Sequence, residues 1–269
     1  MTTGQHKICL ITGATDGIGR ATALLLAEKG MGILAVGRDP RKGAQVLAQL
    51  KTLAPSAPHR FLAADLSSQR SIRELSGVIH SYTEQLDVLI NNAGLFTTRL
   101  RYTEDGIELQ LAVNHLAPFL LSHLLMDALR RSPEGRIINL SSVSHRFGRI
   151  DFDDLYRTRH YEGLRVYEQS KLANLLFTYE LARRIEPSGI TVNSSNPGRV
   201  RTDIGITHAT GIYRLLWKWN KPLLIAPEKG AATSVYLASS PEVRGVTGTY
   251  FYKMKPCRSS RRSYDEALA

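Results

Sequence analysis

Residues 7–19 read Lys7-Ile8-Cys9-Leu10-Ile11-Thr12-Gly13-Ala14-Thr15-Asp16-Gly17-Ile18-Gly19, and the fold is decided here. An apolar run of strand length stops at a glycine, and an amphipathic stretch, Ile18–Lys29, begins before the last glycine of the series. Strand and helix are therefore joined by a turn of a few residues. Gly13 permits the tight turn. Gly17 lets the backbone approach a pyrophosphate, and Gly19 allows close helix–sheet packing. The free N–H groups and the dipole at the start of the helix then face the anion. A glycine triplet alone is weak evidence, but in a first strand–turn–helix unit it reads as a dinucleotide-binding loop.

Outward from this loop, short apolar runs alternate with longer helical patterns. Lys7–Thr12, Gly32–Val36, Arg60–Ala64, Val88–Asn91, Arg136–Leu140, Thr191–Ser194 and Gly248–Tyr252 read as strands. Ile18–Lys29, Arg41–Leu53, Gln69–Glu84, Glu104–Arg130, Gly163–Ile185 and Pro227–Ser239 read as helices. Such alternation calls for right-handed crossovers and a parallel sheet covered on both faces. The expectation is an α/β protein, a single doubly wound Rossmann-type domain over residues 1–269. It should have a parallel sheet of about seven strands with helices on both faces. Two segments break the rhythm, 143–162 and 201–226. Both follow strand C-termini, where open α/β sheets bind ligands, and 201–226 is expected to be the substrate-loop segment.

Hydrophobic residues make up 43% and charged residues 22%, which excludes a disordered or fibrous chain. The net charge of +11 favours anionic partners. Lys253, Lys255, Arg258, Arg261 and Arg262 form the densest basic stretch, which reads as a solvated tail. No nucleic-acid module accompanies them, so no nucleic-acid partner is expected. Two cysteines, Cys9 and Cys257, rule out a disulfide framework and fit a reducing, cytoplasmic setting. No apolar run approaches the ~18 residues of a membrane span. His115 and His145 lack ligand spacing supported by a carboxylate, and no metal is expected. The chain stops at Asp265–Ala269 in what reads as the first turn of a helix, as though more sequence followed.

Tyr167-Glu168-Gln169-Ser170-Lys171 lies on the helix over 163–185. The i,i+4 spacing puts Tyr167 and Lys171 on one face, with ~5–6 Å between Cβ atoms. A free tyrosine has a pKa of about 10, and a nearby ammonium lowers it toward the range useful for acid–base work. Alone, the pair would be an ordinary surface pattern. Upstream, however, Ser141-Ser142 ends the fifth strand and Asn114 lies in the long helical stretch.

Thr-Gly-x-x-x-Gly-Ile-Gly at 12–19 resembles the cofactor loop of the short-chain dehydrogenases/reductases. Asn114, Ser142, Tyr167 and Lys171 match that family's Asn–Ser–Tyr–Lys set in chain order. Val113–Leu121 and Gln169–Asn174 resemble its retinol-dehydrogenase-like branch, and the similarity covers nearly the whole chain. The resemblance implies an oxidoreductase that transfers a hydride between NADP(H) and a carbonyl or alcohol. It implies that Ser142 hydrogen-bonds the substrate oxygen and that Tyr167 donates the proton in reduction. Lys171 would hold the nicotinamide ribose and lower the tyrosine pKa, while Asn114 would anchor a proton-relaying water. Gly13, Thr15, Asp16, Gly17, Ile18 and Gly19 would form the cofactor loop. Asp65-Leu66 would contact the adenine, and Asn92-Ala93-Gly94 would lie against the cofactor. Pro197, Gly198, Val200 and Thr202 would line the nicotinamide side. Relatives often show His-Pro-Gly there; Asn196 replaces the histidine and is given no role.

The end of the second strand bears on the dinucleotide. Gly37 stands where an acid would bind the adenosine 2′-hydroxyl and select NAD(H), and Arg38 follows with a fork suited to a 2′-phosphate. NADP(H) is expected ahead of NAD(H). Asp39 supplies the counter-reading because it could turn inward, and Arg20 and Arg41 read as surface residues or helpers. Residues 204–225 carry Trp217, Trp219 and many aliphatic side chains, alongside Arg214, Lys218 and Lys221. Three readings share them: a lid over an apolar substrate, packing or a dimer contact, and a peripheral membrane contact. Monomer and homodimer both fit. Two further functions stay open, a non-catalytic NADPH-binding scaffold and an epimerase or dehydratase using transient oxidation.

Overall fold

β1 (Ile8–Thr12) runs through the middle of the sheet with its last four residues buried. The computed structural model describes residues 6–201 and 224–269. β1 pairs in parallel with β2 (Gly32–Gly37) on one side and β4 (Val88–Asn91) on the other. β3 (Arg60–Ala63), β5 (Arg136–Leu140), β6 (Thr191–Asn196) and β7 (Thr249–Tyr252) extend the parallel sheet outward. With β8 (Lys255–Pro256) at one edge, the spatial order is β3-β2-β1-β4-β5-β6-β7-β8. The eighth strand adds an antiparallel edge to the seven expected. Its two residues are too few and too polar to carry a periodic signal. The hairpin turn that makes it uses Lys253 and Met254 in left-handed conformations, φ 51° and 60°.

Successive residues of a strand point to opposite faces, and the core divides accordingly. Cys9, Ile11, Ile33 and Ile90 pack on one face with residues of α1 (Gly17–Glu28), α2 (Pro40–Leu53) and a late helix at Pro227–Ser239. Leu10, Leu34, Leu89 and Ile137 pack on the other with α3 (Gln69–Tyr82) and the helices that follow β4. Burial on both faces explains why β1, β2 and β4 read as continuous apolar runs.

The one long helix expected over 104–130 is broken. It contains α4 (Leu109–Leu111), a π-helical turn at Ala112–Leu116, α5 (Ala117–Leu124) and α6 (Met126–Arg130). The backbone N–H of Ala117 reaches the carbonyl of Ala112, one residue further back than in an α-helix. Pro118 offers no N–H and its ring crowds the preceding turn, so a regular ladder cannot run through. Such π turns recur at functional sites, and this one carries Asn114. The chain continues through β5 to α7 (Gly163–Arg184) and ends with α8 (Pro227–Ser239) before β7.

Strand order reverses between β1 and β4, which opens a crevice at the C-terminal ends of those strands. The glycine loop, the turn after β4 and the ends of β5 and β6 surround it. No helix among the described residues is long and apolar enough to cross a membrane. Of the expected substrate loop, residues 202–223 lie outside the described residues, and with them Thr202 and both tryptophans.

Candidate active site

Gly13 adopts φ +66°, the left-handed turn expected of it. A Cβ on Gly19 would lie 2.1 Å from the Gly13 carbonyl oxygen, so only glycine lets α1 come this close. The loop is tied to the turn after β4. Thr12 Oγ1 accepts from the backbone N–H groups of Asn92 and Ala93, both at 3.0 Å, and Asn92 Nδ2 donates to the Thr12 carbonyl at 2.7 Å. Asn92 thus grips the loop with its side chain and leaves its backbone, with Ala93 and Gly94, along the crevice. Asp16 caps α1 by accepting from Gly17 N at 2.8 Å, and its second oxygen pairs with Lys42 at 2.7 Å. Remaining N–H groups of the first turn of α1 are left for an anion.

At the end of β2, Thr15 closes over Gly37. A Cβ on Gly37 would lie 2.6 Å from Thr15 Cγ2 and 2.9 Å from its Oγ1. Arg38 follows, exposed to solvent. Asp39 does not turn inward; its carboxylate caps α2, accepting from Arg41 N at 2.8 Å and Lys42 N at 3.4 Å. Arg20 is engaged with Gln49 at 3.2 and 3.0 Å. The Asp65 carboxylate turns to Ser67, and Leu66 is buried beside it.

Asn114, Ser142, Tyr167 and Lys171 come together at the mouth of this crevice. Lys171 is buried, with Nζ donating to the Leu140 carbonyl at 3.3 Å and standing 5.5 Å from the centre of the Tyr167 ring. Loss of water around the ammonium pulls its pKa down to about 8. Tyr167 is half-buried, and Phe96 meets its ring edge-on at 6.0 Å between centroids. Burial raises the phenol to about 12, and the Ser142 side chain works the other way. The lowered tyrosine pKa expected from the sequence is therefore not found in this state. Desolvation of the phenol sets the direction, and the ammonium is turned to a backbone carbonyl.

Asn114 is tied to the turn after β4. Its side chain pairs with the backbone of Leu95 in both directions, accepting from Leu95 N at 2.8 Å and donating to Leu95 O at 3.0 Å. It locks the turn after β4 to the π-helical segment. The Asn114 carbonyl is met by Asn174 Nδ2 at 2.9 Å, and the same amide reaches Leu140 O at 3.1 Å. Gly94 lies between these groups; a Cβ there would be 3.3 Å from Asn114 Oδ1 and 3.5 Å from Lys171 Nζ. The crevice thus has a narrow floor beside a buried cation and an open helix terminus at its far side, which fits a dinucleotide.

Beyond β6, Asn196 gains a role that its sequence context did not suggest. Its Oδ1 accepts from Gly198 N at 2.9 Å and its Nδ2 donates to the Tyr250 hydroxyl at 2.7 Å, so it shapes the Pro197-Gly198 turn. Val200 is buried, packed against Gly230 of α8. Asn174 and Gln110 were also missed. Gln110 Nε2 holds Thr97 O, the Tyr161 hydroxyl and Gly163 O at 3.3, 3.0 and 3.0 Å, joining the loop after β4 to the start of α7. Asn174 had a signal, since it shares the face of α7 with Lys171; Gln110 had none.

A model of the family described as short chain dehydrogenase matches residues 7–211. The chain belongs to that family, and its site is that of an oxidoreductase of the family. Within it the chain is retinol-dehydrogenase-like. Retinol dehydrogenase 13 of Homo sapiens is 42% identical over 98% of this chain and 81% of its own length. Retinol dehydrogenase 14 of Homo sapiens is 40% identical over 98% of this chain and 83% of its own. A short chain dehydrogenase from Shigella flexneri, solved as a complex with NADP, superposes with a TM-score of 0.75 at 25% identity. It covers 93% of this chain and 97% of that one.

Proposed function

We propose that the protein interconverts an apolar alcohol and the corresponding carbonyl compound with NADP(H). The observation that carries this reading is the meeting of Tyr167, Lys171 and Ser142 beside a glycine-lined dinucleotide crevice. Bound at the switch point, the nicotinamide supplies or accepts the hydride. The protein's own residues handle the oxygen. Ser142 donates a hydrogen bond to the carbonyl oxygen and orients it. Tyr167, held protonated at neutral pH, passes its hydroxyl proton to that oxygen as the carbon becomes tetrahedral, so the carbonyl gains one hydride and one proton. The phenolate left behind faces the Lys171 ammonium, whose charge then stabilises it. Asn114 keeps the Gly94–Leu95 backbone in place beneath the reacting groups.

NADP(H) rather than NAD(H) is supported by three features at the end of β2. Arg38 is exposed and available for a 2′-phosphate, Gly37 has no room for an acid beneath Thr15, and Asp39 is occupied as a helix cap. The relative complexed with NADP agrees with this. An apolar substrate is supported by the retinol dehydrogenases among its relatives and by the rim of the site. Val143, Ile225 and Tyr252 expose 47%, 38% and 39% of their surface there, and the last two flank Gly198.

The test is Tyr167→Phe, assayed by NADPH oxidation against apolar aldehydes and ketones, retinal among them. Turnover should fall by ~10²–10⁴-fold, the range for loss of a general acid, with NADPH binding retained. Turnover at the wild-type rate would overturn the assignment.

A further inference from the structure

We propose that His145 is a positioning residue for Ser142, and that through it the C-terminal segment Ser259–Tyr264 sets where the serine stands. The inference rests on the reading of Ser142 as the group that binds the substrate oxygen.

Ser142 has an extended backbone and opens a single 3-10 turn, Val143–Arg146. Its hydroxyl is loosely held, with Ser144 N and Ser144 Oγ both at 3.3 Å. Its carbonyl, by contrast, is gripped twice by one residue. The backbone N–H of His145 reaches it at 3.1 Å and the ring Nδ1 at 2.6 Å. The imidazole is fully buried and stands edge-on to Tyr250, with ring centroids 5.1 Å apart. On the far side of the ring, the backbone N–H of Ser260 points at Nε2 at 3.1 Å.

These partners fix the tautomer. A carbonyl can only accept and an amide N–H can only donate, so the ring carries its proton on Nδ1 and accepts at Nε2. A second proton would break the bond to Ser260. Burial and the adjacent Arg146 cation hold the ring below its ordinary pKa, in keeping with a neutral imidazole.

The Ser260 end of this link is itself anchored. The Ser259 hydroxyl bonds the Tyr179 hydroxyl at 2.7 Å, and Tyr264 stacks on Tyr179 at 5.1 Å. Arg146 Nη2 donates to Arg258 O at 2.9 Å, and Arg262 Nη1 donates to Gly148 O at 3.2 Å. Tyr179 belongs to α7, the helix that carries Tyr167 and Lys171. A closed chain of contacts therefore runs from α7 through the C-terminal segment and His145 to Ser142. Ser142 and Tyr167 must meet at one substrate oxygen, and a shift of ~1 Å between such groups can cost ~10²-fold in rate.

The experiment uses the full chain. Nitrogen-15 NMR of the histidine rings should show His145 protonated at Nδ1 and not at Nε2. His145→Asn keeps an amide donor at the position of Nδ1 but is too short to meet Ser260 N, so its kcat should fall between those of wild type and His145→Ala. His145→Ala should lower kcat by ~10–100-fold, a loss of the size expected from misplacement, with the Kd for NADPH unchanged. Ser260→Pro removes the N–H at a backbone φ of −75° that proline accepts and puts its ring Cδ against Nε2, so the link between the C-terminal segment and His145 is broken. It should lower kcat in the same direction as His145→Ala, and it carries the test if the alanine variant fails to fold. Wild-type kcat in Ser260→Pro or His145→Ala, His145→Asn as damaged as His145→Ala, or the proton on Nε2 would each overturn the inference. Tyr167→Phe assayed beside them separates the two ideas. If it keeps turnover, the reading of the site fails, and the tautomer still decides the placement of His145.

Discussion

Replacing Arg38 with leucine should erase most of the discrimination between NADPH and NADH without harming the fold. Among the described residues Arg38 makes no hydrogen bond or ion pair, and it lies exposed at the end of β2, so no internal contact is lost. A hydrogen bond to a charged group contributes ~1.5–3 kcal/mol. At ~1.4 kcal/mol per decade, the Kd for NADPH should rise by ~10–150-fold while that for NADH stays nearly level. The companion change, Gly37→Asp, should not create NADH binding by itself. The new Cβ would come within 2.6 Å of Thr15 Cγ2, and such overpacking costs ~1–3 kcal/mol. Combining it with Thr15→Ala removes Cγ2 and Oγ1, the two nearest atoms, so the pair should bind NADH better than the single effects add up to. Titration of each variant with both nucleotides, followed by fluorescence, measures this without any substrate. An Arg38→Leu variant whose NADPH to NADH affinity ratio stays within about twofold of wild type would refute the reasoning, as would strict additivity of the Thr15 and Gly37 changes.

Lys171 holds its proton only up to about pH 8, whereas burial keeps Tyr167 protonated well above that. The kcat/KM for carbonyl reduction, which reports the free enzyme, should therefore be flat at neutral pH and fall as pH rises through about 8. A profile level to pH 10 would contradict it. His59, His115 and His145 are all held below 6.5, in each case by burial first. The unfolded chain takes up those protons before the folded one, so this contribution to stability is complete above pH 6.5 and lost as pH falls below it. Thermal melts between pH 7.5 and 5 should show the decline, and a constant Tm over that range would count against it. At Gly163, an added Cβ would lie 2.0 Å from the Thr97 carbonyl oxygen. Gly163→Ala should cost ~1–3 kcal/mol and lower Tm by roughly 2–10 °C; an unchanged melt would show that the start of α7 can move aside.

Much of the fold was legible because it depends on period and punctuation. The central strands β1, β2 and β4 read as apolar runs since helices cover both faces, and α8 begins and ends where Pro227 and Ser239 were expected. What failed was continuity and brevity. Glu104–Arg130 has one amphipathic pattern, yet Pro118 and the π turn divide it, because hydrophobic period records which side is buried and not how the backbone bonds run. β8 has two residues, too few for any period.

The site divides along a similar line. Residues proposed to meet the cofactor through backbone or a single charged atom, such as Gly13, Gly19 and Lys171, leave a spacing that sequence can show. Residues that hold those groups in place leave none, because a buried amide or imidazole satisfies whatever backbone happens to face it. Asn174, Gln110 and His145 all work in this way, each bonding main-chain atoms far away in sequence, and Asn196 ties the nearby Gly198 N to the distant Tyr250 hydroxyl. The same division explains the tyrosine. Spacing placed Lys171 one turn from Tyr167, but the sign of the pKa shift depended on how much water each keeps and on where the ammonium points. With Nζ turned to the Leu140 carbonyl and the phenol desolvated, Tyr167 keeps its proton at neutral pH. In the proposed reaction the ammonium therefore acts after the proton has left, when a phenolate first gives it a charge to oppose.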